Sequence, residues 1–376
     1  MDLSTTETQD MLRETLARFL ADTYSFDARQ KMLASPEGRD PGIWKALSSE
    51  LGLTCAPFAE DHGGMGGGAI ENMIMMEELG KVIAIEPWLQ TVVAGGGALS
   101  AAGGQMAEAL IPAIISGDCL IAFAYAEPHG RYNLADIGTS VKSDGAGHVL
   151  NGHKAVVYGA PWATHFLVTA RTGGSRRDRE GVELFIVEAN SAGISRRDYP
   201  TVDGFRASEV YFENVKLPGQ ALLSGGIDLI EQVVDQCTMA ICAEATGIAR
   251  AMLAQTVEYS QQRKQFGQPI GKFQVLQHRM ADMLVEAEQI ASMSLMGTLR
   301  LDEGAVARKT AVSAAKAKVS RSLRFAGQSA VQTHGGIGIT MELAIGHYFK
   351  RASMIENQFG GSDYHFERYE ALTLAD

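Results

Sequence analysis

The residues whose types and spacing could do chemistry gather in one stretch. It reads Arg263-Lys264-Gln265-Phe266-Gly267-Gln268-Pro269-Ile270, and continues through Phe273-Gln274 to His278, Asp282 and Met283. A guanidinium can fork onto phosphate, and a glutamine amide both donates and accepts. The same residues also suit an ordinary helical hairpin whose corner is merely solvated.

The elements around the stretch must position it. Ile230, Val233, Ile241, Ala245, Ile248, Met252 and Val257 recur at helical spacing before it. Gly267 supplies a stop and Pro269 forbids continuation. A second helix restarts near Ile270 and runs through Met283, Ala287, Ile290 and Ser294. The stretch is therefore expected at a rigid helix-helix corner.

Taken in order, the chain predicts three domains. Residues 1–118 read as helices, with apolar stripes at Leu12, Leu16, Phe19 and Leu20, at Ile43, Trp44, Leu47 and Leu51, and from Ile70 to Val82. Residues 119–222 change period to short apolar runs such as Phe166-Leu167-Val168 and Leu184-Phe185-Ile186-Val187, the pattern of a small β-barrel. The loop from Gly173 to Glu180 reads as a solvated, charged tip. Residues 223–376 give four helical segments, at 227–262, 270–301, 305–333 and 340–374, a bundle with His334-Gly335-Gly336-Ile337-Gly338 as its last turn. The class is α+β. Gly64-Met65-Gly66-Gly67-Gly68-Ala69 fits a dinucleotide pattern but follows no strand, and Gly95-Gly96-Gly97 has no downstream acidic partner; both suit loops or close packing.

Composition bounds the function. The chain has 376 residues, 46% of them apolar, and a formal net charge of -11, which argues against nucleic acid or an anionic membrane as partner. The four cysteines, Cys55, Cys119, Cys237 and Cys242, form no CxxC pair and read as reduced, buried thiols. No basic, apolar leader opens the sequence, and no run reaches the roughly 18 uncharged apolar residues of a membrane span. A cytoplasmic protein is expected.

Several motifs, in order, resemble the acyl-CoA dehydrogenase family over nearly the whole chain. They are Pro57 with Gly63-Gly64-Met65-Gly66 and Glu77-Glu78-Leu79, then Glu127-Pro128, Asn151-Gly152-His153-Lys154, the Arg263–Met283 stretch, and Gln332 to Gly338 with Thr340 and Glu342. The resemblance implies an N-terminal helical domain, a middle β domain and a C-terminal helical bundle. It implies FAD as cofactor and an acyl-CoA thioester as substrate, desaturated between Cα and Cβ. It implies an FAD site shared between subunits, in which Arg263, Phe266, Gln274, Gln332, Gly335 and Gly336 hold the pyrophosphate and adenosine of a neighbour's flavin. An electron-transfer flavoprotein is the implied acceptor.

The resemblance fails where the reaction needs a base. A carboxylate must take the α proton while hydride leaves Cβ. Counting from Arg351-Ala352 puts Phe359 at the family's glutamate, and the alternative place on the first bundle helix falls on Cys237, with Thr238 where an arginine is common. The flavin loop is altered to Ala126-Glu127-Pro128 and Arg131-Tyr132-Asn133, and Val156 and Tyr158 replace a tryptophan and a threonine. The pattern implies a subunit of a heteromeric enzyme, α2β2 with a homologous catalytic chain, acting on a bulky acyl group such as a steroid side chain. The alternative is a self-sufficient homotetramer whose base is displaced to Glu356, Asp363, Glu244 or Asp235.

Overall fold

The computed structural model describes residues 4–374; of the stretch read for a leader, Met1, Asp2 and Leu3 lie outside the described residues, as do Ala375 and Asp376. The first helices are α1 Glu7–Thr23, α2 Phe26–Ala34, α3 Pro41–Lys45, α4 Ala69–Lys81, α5 Gly97–Ala102 and α6 Gly104–Ser116. Strands follow: β1 Ile121–Ala124, β2 Ser140–Asp144, β3 Gly147–Tyr158, β4 His165–Arg171, β5 Val182–Glu188, β6 Ile194–Pro200, β7 Arg206–Pro218 and β8 Leu222–Leu223. Then come α7 Gly226–Gln262, the short strands β9 Lys264–Gln265 and β10 Gln268–Pro269, and α8 Gln274–Leu299, α9 Ala305–His334, α10 Ala344–Asn357 and α11 Ser362–Thr373.

The contacts divide the chain into two units, one of residues 1–34, 69–84 and 238–376, the other of residues 35–68 and 85–237. In the first unit, α1 begins at a capping box: Thr6 accepts from the Gln9 backbone N–H while the Gln9 side chain accepts from Thr6 N–H. Its apolar stripe, Leu12, Leu16 and Leu20, is buried as its spacing requires. Helix α9 packs against α8, α10 and α11. Arg351 on α10 donates from Nε and Nη2 to the two carboxylate oxygens of Glu244 on α7, at 2.6 and 2.7 Å, and both side chains are buried. The expected fourth bundle segment is two helices. Phe359 (φ +58°) and Gly360 (φ +119°) enter the left-handed region between α10 and α11, and helical propagation stops there.

In the second unit the strands make a sheet of order β6-β7-β3-β2-β4-β5-β8, with β1 parallel to β4. The expected barrel is not formed: the sheet stays open because β6 and β8 do not pair. Strand β8 has only two residues, and β6 exposes Ser195, Arg196, Arg197 and Asp198, charges that blunt an edge. That polar edge is also why β6 carried no strand signal in the sequence. Gly95 and Gly96 are close-packing sites: an added Cβ would meet Ile121 and the Phe58 ring. Helix α7 is long and apolar enough to cross a membrane by composition, but 78% of its most apolar window is buried within the protein, as in a core helix.

Candidate functional site

In the first unit the predicted helix-helix corner is a two-residue hairpin. Gln265 pairs with Gln268 and Lys264 with Pro269, and the tip residues Phe266 (φ +52°) and Gly267 (φ +79°) are both left-handed. Glycine accepts that geometry; phenylalanine is strained by it. Phe266 is nevertheless 92% exposed, so burial does not repay the strain. A strained, exposed ring points to contact with something outside the chain. Its ring meets Phe273 edge-on at 6.1 Å. Gly271 lies where a Cβ would strike Ser260, which holds the hairpin against the end of α7.

The second predicted stretch reaches the same end of the bundle. Tyr259, one turn before Arg263, stacks on His334 at 4.3 Å and donates from its hydroxyl to the His334 carbonyl at 3.3 Å. This pairing joins the ends of α7 and α9. Burial lowers the His334 pKa, against the opposing hydrogen bond from Nδ1–H to the Ala330 carbonyl at 2.8 Å. Gly335 and Gly336 follow at once, both exposed, and a Cβ added at either would meet nothing within 4 Å. Arg263, Gln274 and Gln332 are exposed as well. A groove of about 760 Å³ runs between α8 and α9 beside them, lined by His278, Arg279, Asp282, Phe325, Gln328 and Gln332 among others. The structure thus gathers the six predicted residues at one end of the first unit. A free guanidinium, two amides and bare glycine backbone suit a dinucleotide's pyrophosphate. Sequence spacing did not reveal the Tyr259–His334 contact that unites the two stretches.

The two positions that the resemblance implied for a base hold Cys237 and Phe359. Cys237 is fully buried, and burial pushes its thiol far up, so it carries no thiolate at neutral pH. Phe359 is 7% exposed, and its carbonyl accepts from His365 Nε2 at 3.1 Å. Burial first, then Lys316 and Arg368, pull His365 down to about 3. Lys316, wholly buried on α9, fastens this turn. Its Nζ donates to the carbonyls of Ile355 (2.8 Å), Glu356 (3.0 Å) and Gly360 (2.9 Å) and to Ser320 Oγ (3.0 Å). The turn that presents residue 359 is therefore rigid, whatever side chain it carries. The four carboxylates of the alternative reading lie as follows. Glu244 is locked on Arg351, Glu356 pairs with Arg324 (Nε to Oε2, 2.9 Å), Asp235 is buried with a partner, and Asp363 is exposed on the first turn of α11.

In the second unit, Glu127 of the predicted flavin loop is a structural anchor. It accepts from Gly138 N–H (2.7 Å), Thr139 N–H (3.0 Å) and Lys154 Nζ (2.7 Å). Burial opposes its charge, but Lys154 and these donors outweigh burial and hold the carboxyl below its usual range. Val156 sits at a register shift between β3 and β7 with φ +51° and is 44% exposed. A β-branched residue in that geometry is strained. The side chain at this bulge can neither stack nor hydrogen-bond. Tyr158 packs edge-on against Phe205 at 6.2 Å.

This arrangement is that of a flavin-dependent dehydrogenase fold: a helical bundle with a solvent-open end, and an open sheet carrying a pinned loop. Family models for the acyl-CoA dehydrogenase N-terminal, middle and C-terminal domains match residues 6–118, 122–215 and 224–369. The chain belongs to the acyl-CoA dehydrogenase family, and FAD is its cofactor. It is 29% identical over 372 residues to the probable acyl-CoA dehydrogenase YngJ of Bacillus subtilis, covering 96% of this chain and 97% of that one. Among solved structures it resembles butyryl-CoA dehydrogenase from Megasphaera elsdenii (25% identity, TM-score 0.91, all of both chains). It also resembles a variant of the Tcur3481–Tcur3483 steroid ACAD (26% identity, TM-score 0.89, 98% of both chains). When bound, FAD supplies the hydride acceptor of the family's oxidation. The residues present fit its pyrophosphate half at Arg263, Gln332, Gly335 and Gly336. Val156 and Tyr158 stand where the resemblance implied a tryptophan and a threonine.

Proposed function

We propose that this chain is the non-catalytic subunit of a heteromeric FAD-dependent acyl-CoA dehydrogenase. Its bundle end, with Arg263, Phe266, Gln274, Gln332, Gly335 and Gly336, completes the flavin site of a homologous catalytic chain in an α2β2 assembly. One observation carries the reading: a rigid, lysine-fastened turn presents Phe359, a side chain unable to accept a proton, while the phosphate-facing end is open and intact. The buried, un-ionised Cys237 supports it, as does the engagement of Glu244 and Glu356 in ion pairs. A bulky acyl-CoA, such as one with a steroid side chain, is the proposed substrate of the pair. The likeness to the Tcur3481–Tcur3483 steroid ACAD supports this. An electron-transfer flavoprotein is the proposed acceptor.

The test is dye-linked dehydrogenation of a panel of acyl-CoA thioesters, by this chain alone and by this chain co-expressed with an unlike homologue. Turnover only in the co-expressed pair is expected. Turnover by the chain alone sinks the reading and favours the homotetramer with a displaced base.

A further inference from the structure

The groove between α8 and α9 carries a pattern that the six predicted residues do not use. On its α8 side, Val275, His278, Asp282 and Val285 recur at spacings of three, four and three residues. That spacing draws one stripe along a helix, as the a and d positions of a coiled coil do. All four side chains are exposed, Val275 by 69% and Val285 by 53%. The first three line the groove together with Arg279 of α8 and with Phe325 and Gln328 of α9. Phe349 lines it too, seated close on α9 where a Cβ added at Gly327 would meet its ring at 2.8 Å. No hydrogen bond or ion pair engages the side chains of His278, Arg279 or Asp282 among the described residues. An apolar residue at each end of a solvent-facing stripe, with unengaged charge-bearing groups between, marks a helix face without a neighbour.

We propose that this groove seats α8 of a second copy of this chain, antiparallel and related by a two-fold axis. The spacing of the stripe reads the same from both ends, and its chemistry is complementary to itself when reversed. An antiparallel copy sets Val275 on Val285 of the other copy and His278 on Asp282 of the other copy, and the two-fold axis makes each contact twice. Arg279 adds a cation on the side that meets the other copy's Asp282. A parallel copy in register would instead set Asp282 on Asp282, which charge repulsion opposes. From Val275 to Val285 the helix runs about 15 Å, the length of an ordinary helix-in-groove contact. The contact does not rest on the pairing with an unlike chain, because an α2β2 assembly and a homotetramer each hold two copies of this one.

Sedimentation equilibrium of the purified full-length chain, over a concentration series, tests this. The wild-type chain should self-associate. His278→Asp sets a carboxylate against Asp282 of the other copy, and Asp282→Lys sets an ammonium against His278 and Arg279. Each should raise the dissociation constant at least about tenfold and shift the mass toward half that of the wild-type assembly. His278→Asp and Asp282→Lys together reverse the pair, so opposite charges face each other again across the axis and the wild-type mass should return. Damage to the fold by either single change would not be undone by adding the other. A wild-type chain that stays monomeric at every concentration overturns the proposal. So do single variants that associate as the wild type does, and a double variant that associates no better than the single ones.

Discussion

Replacing Arg263 by alanine separates the phosphate-facing role from folding. The side chain is exposed and lies beyond the end of α7, and no hydrogen bond or ion pair engages its guanidinium among the described residues. Its loss should cost the fold no more than about 0.5 kcal/mol. A charge-assisted hydrogen bond to a pyrophosphate contributes about 1.5–3 kcal/mol. That corresponds to roughly 10- to 150-fold in Kd, at about 1.4 kcal/mol per tenfold. Flavin affinity, followed by fluorescence in the complex of this chain with the proposed catalytic partner, should fall by that amount. Arg263→Lys should recover only part of it, because an ammonium keeps the charge but not the planar fork. Wild-type affinity in the alanine variant refutes the assignment. So does a large drop in melting temperature, which would make Arg263 a structural residue.

Two further outcomes follow from strain and burial. Lys316→Met leaves three buried carbonyls without their donor and should cost about 2–4 kcal/mol, read by denaturant unfolding. Burial pulls the folded Lys316 pKa down to about 8 from 10.5, so the unfolded chain binds more protons across that window. The wild-type protein should therefore gain stability relative to Lys316→Met as pH rises from about 8 to 10.5, with a slope of at most about 1.4 kcal/mol per pH unit. A difference that shrinks with pH contradicts this. Val156→Gly should raise stability by about 0.5–1 kcal/mol, since it removes left-handed strain from a half-exposed side chain. A lower melting temperature would show that Val156 packs rather than strains.

Periodicity was enough for the long helices. The stripes at Leu12, Leu16 and Leu20 and from Ile230 to Met252 are buried where their spacing puts them, because burial of one face sets the pattern, while Phe19 and Val257 are half-buried at their edges. Strand β6 was not legible, because a polar edge strand lacks the alternation that half-burial imposes. Barrel closure was not legible either: it depends on which strand ends meet, and the short β8 and the charged β6 edge decide that only in three dimensions. The split of the last helix lies in Phe359 adopting a geometry that its residue type opposes. At the site, residue types and order located Arg263, Phe266 and the glycine turn. The contacts that give them rigidity, Tyr259 on His334 and Lys316 on three carbonyls, join positions far apart in sequence. The arginine-rich loop is exposed as its charges imply, but its carboxylate partner Asp136 belongs to another loop and was not legible.

A chain that keeps the phosphate-holding half of a flavin site and lends it to a neighbour should hold its flavin only in company. Flavin content per chain measures this most directly, in the protein purified alone and after co-expression with an unlike homologous subunit. Little flavin is expected in the chain alone, and about one FAD per pair of unlike chains in the complex, with one kind of site repeated by symmetry. Full loading of the chain alone, at about one FAD per subunit, would contradict the proposed role.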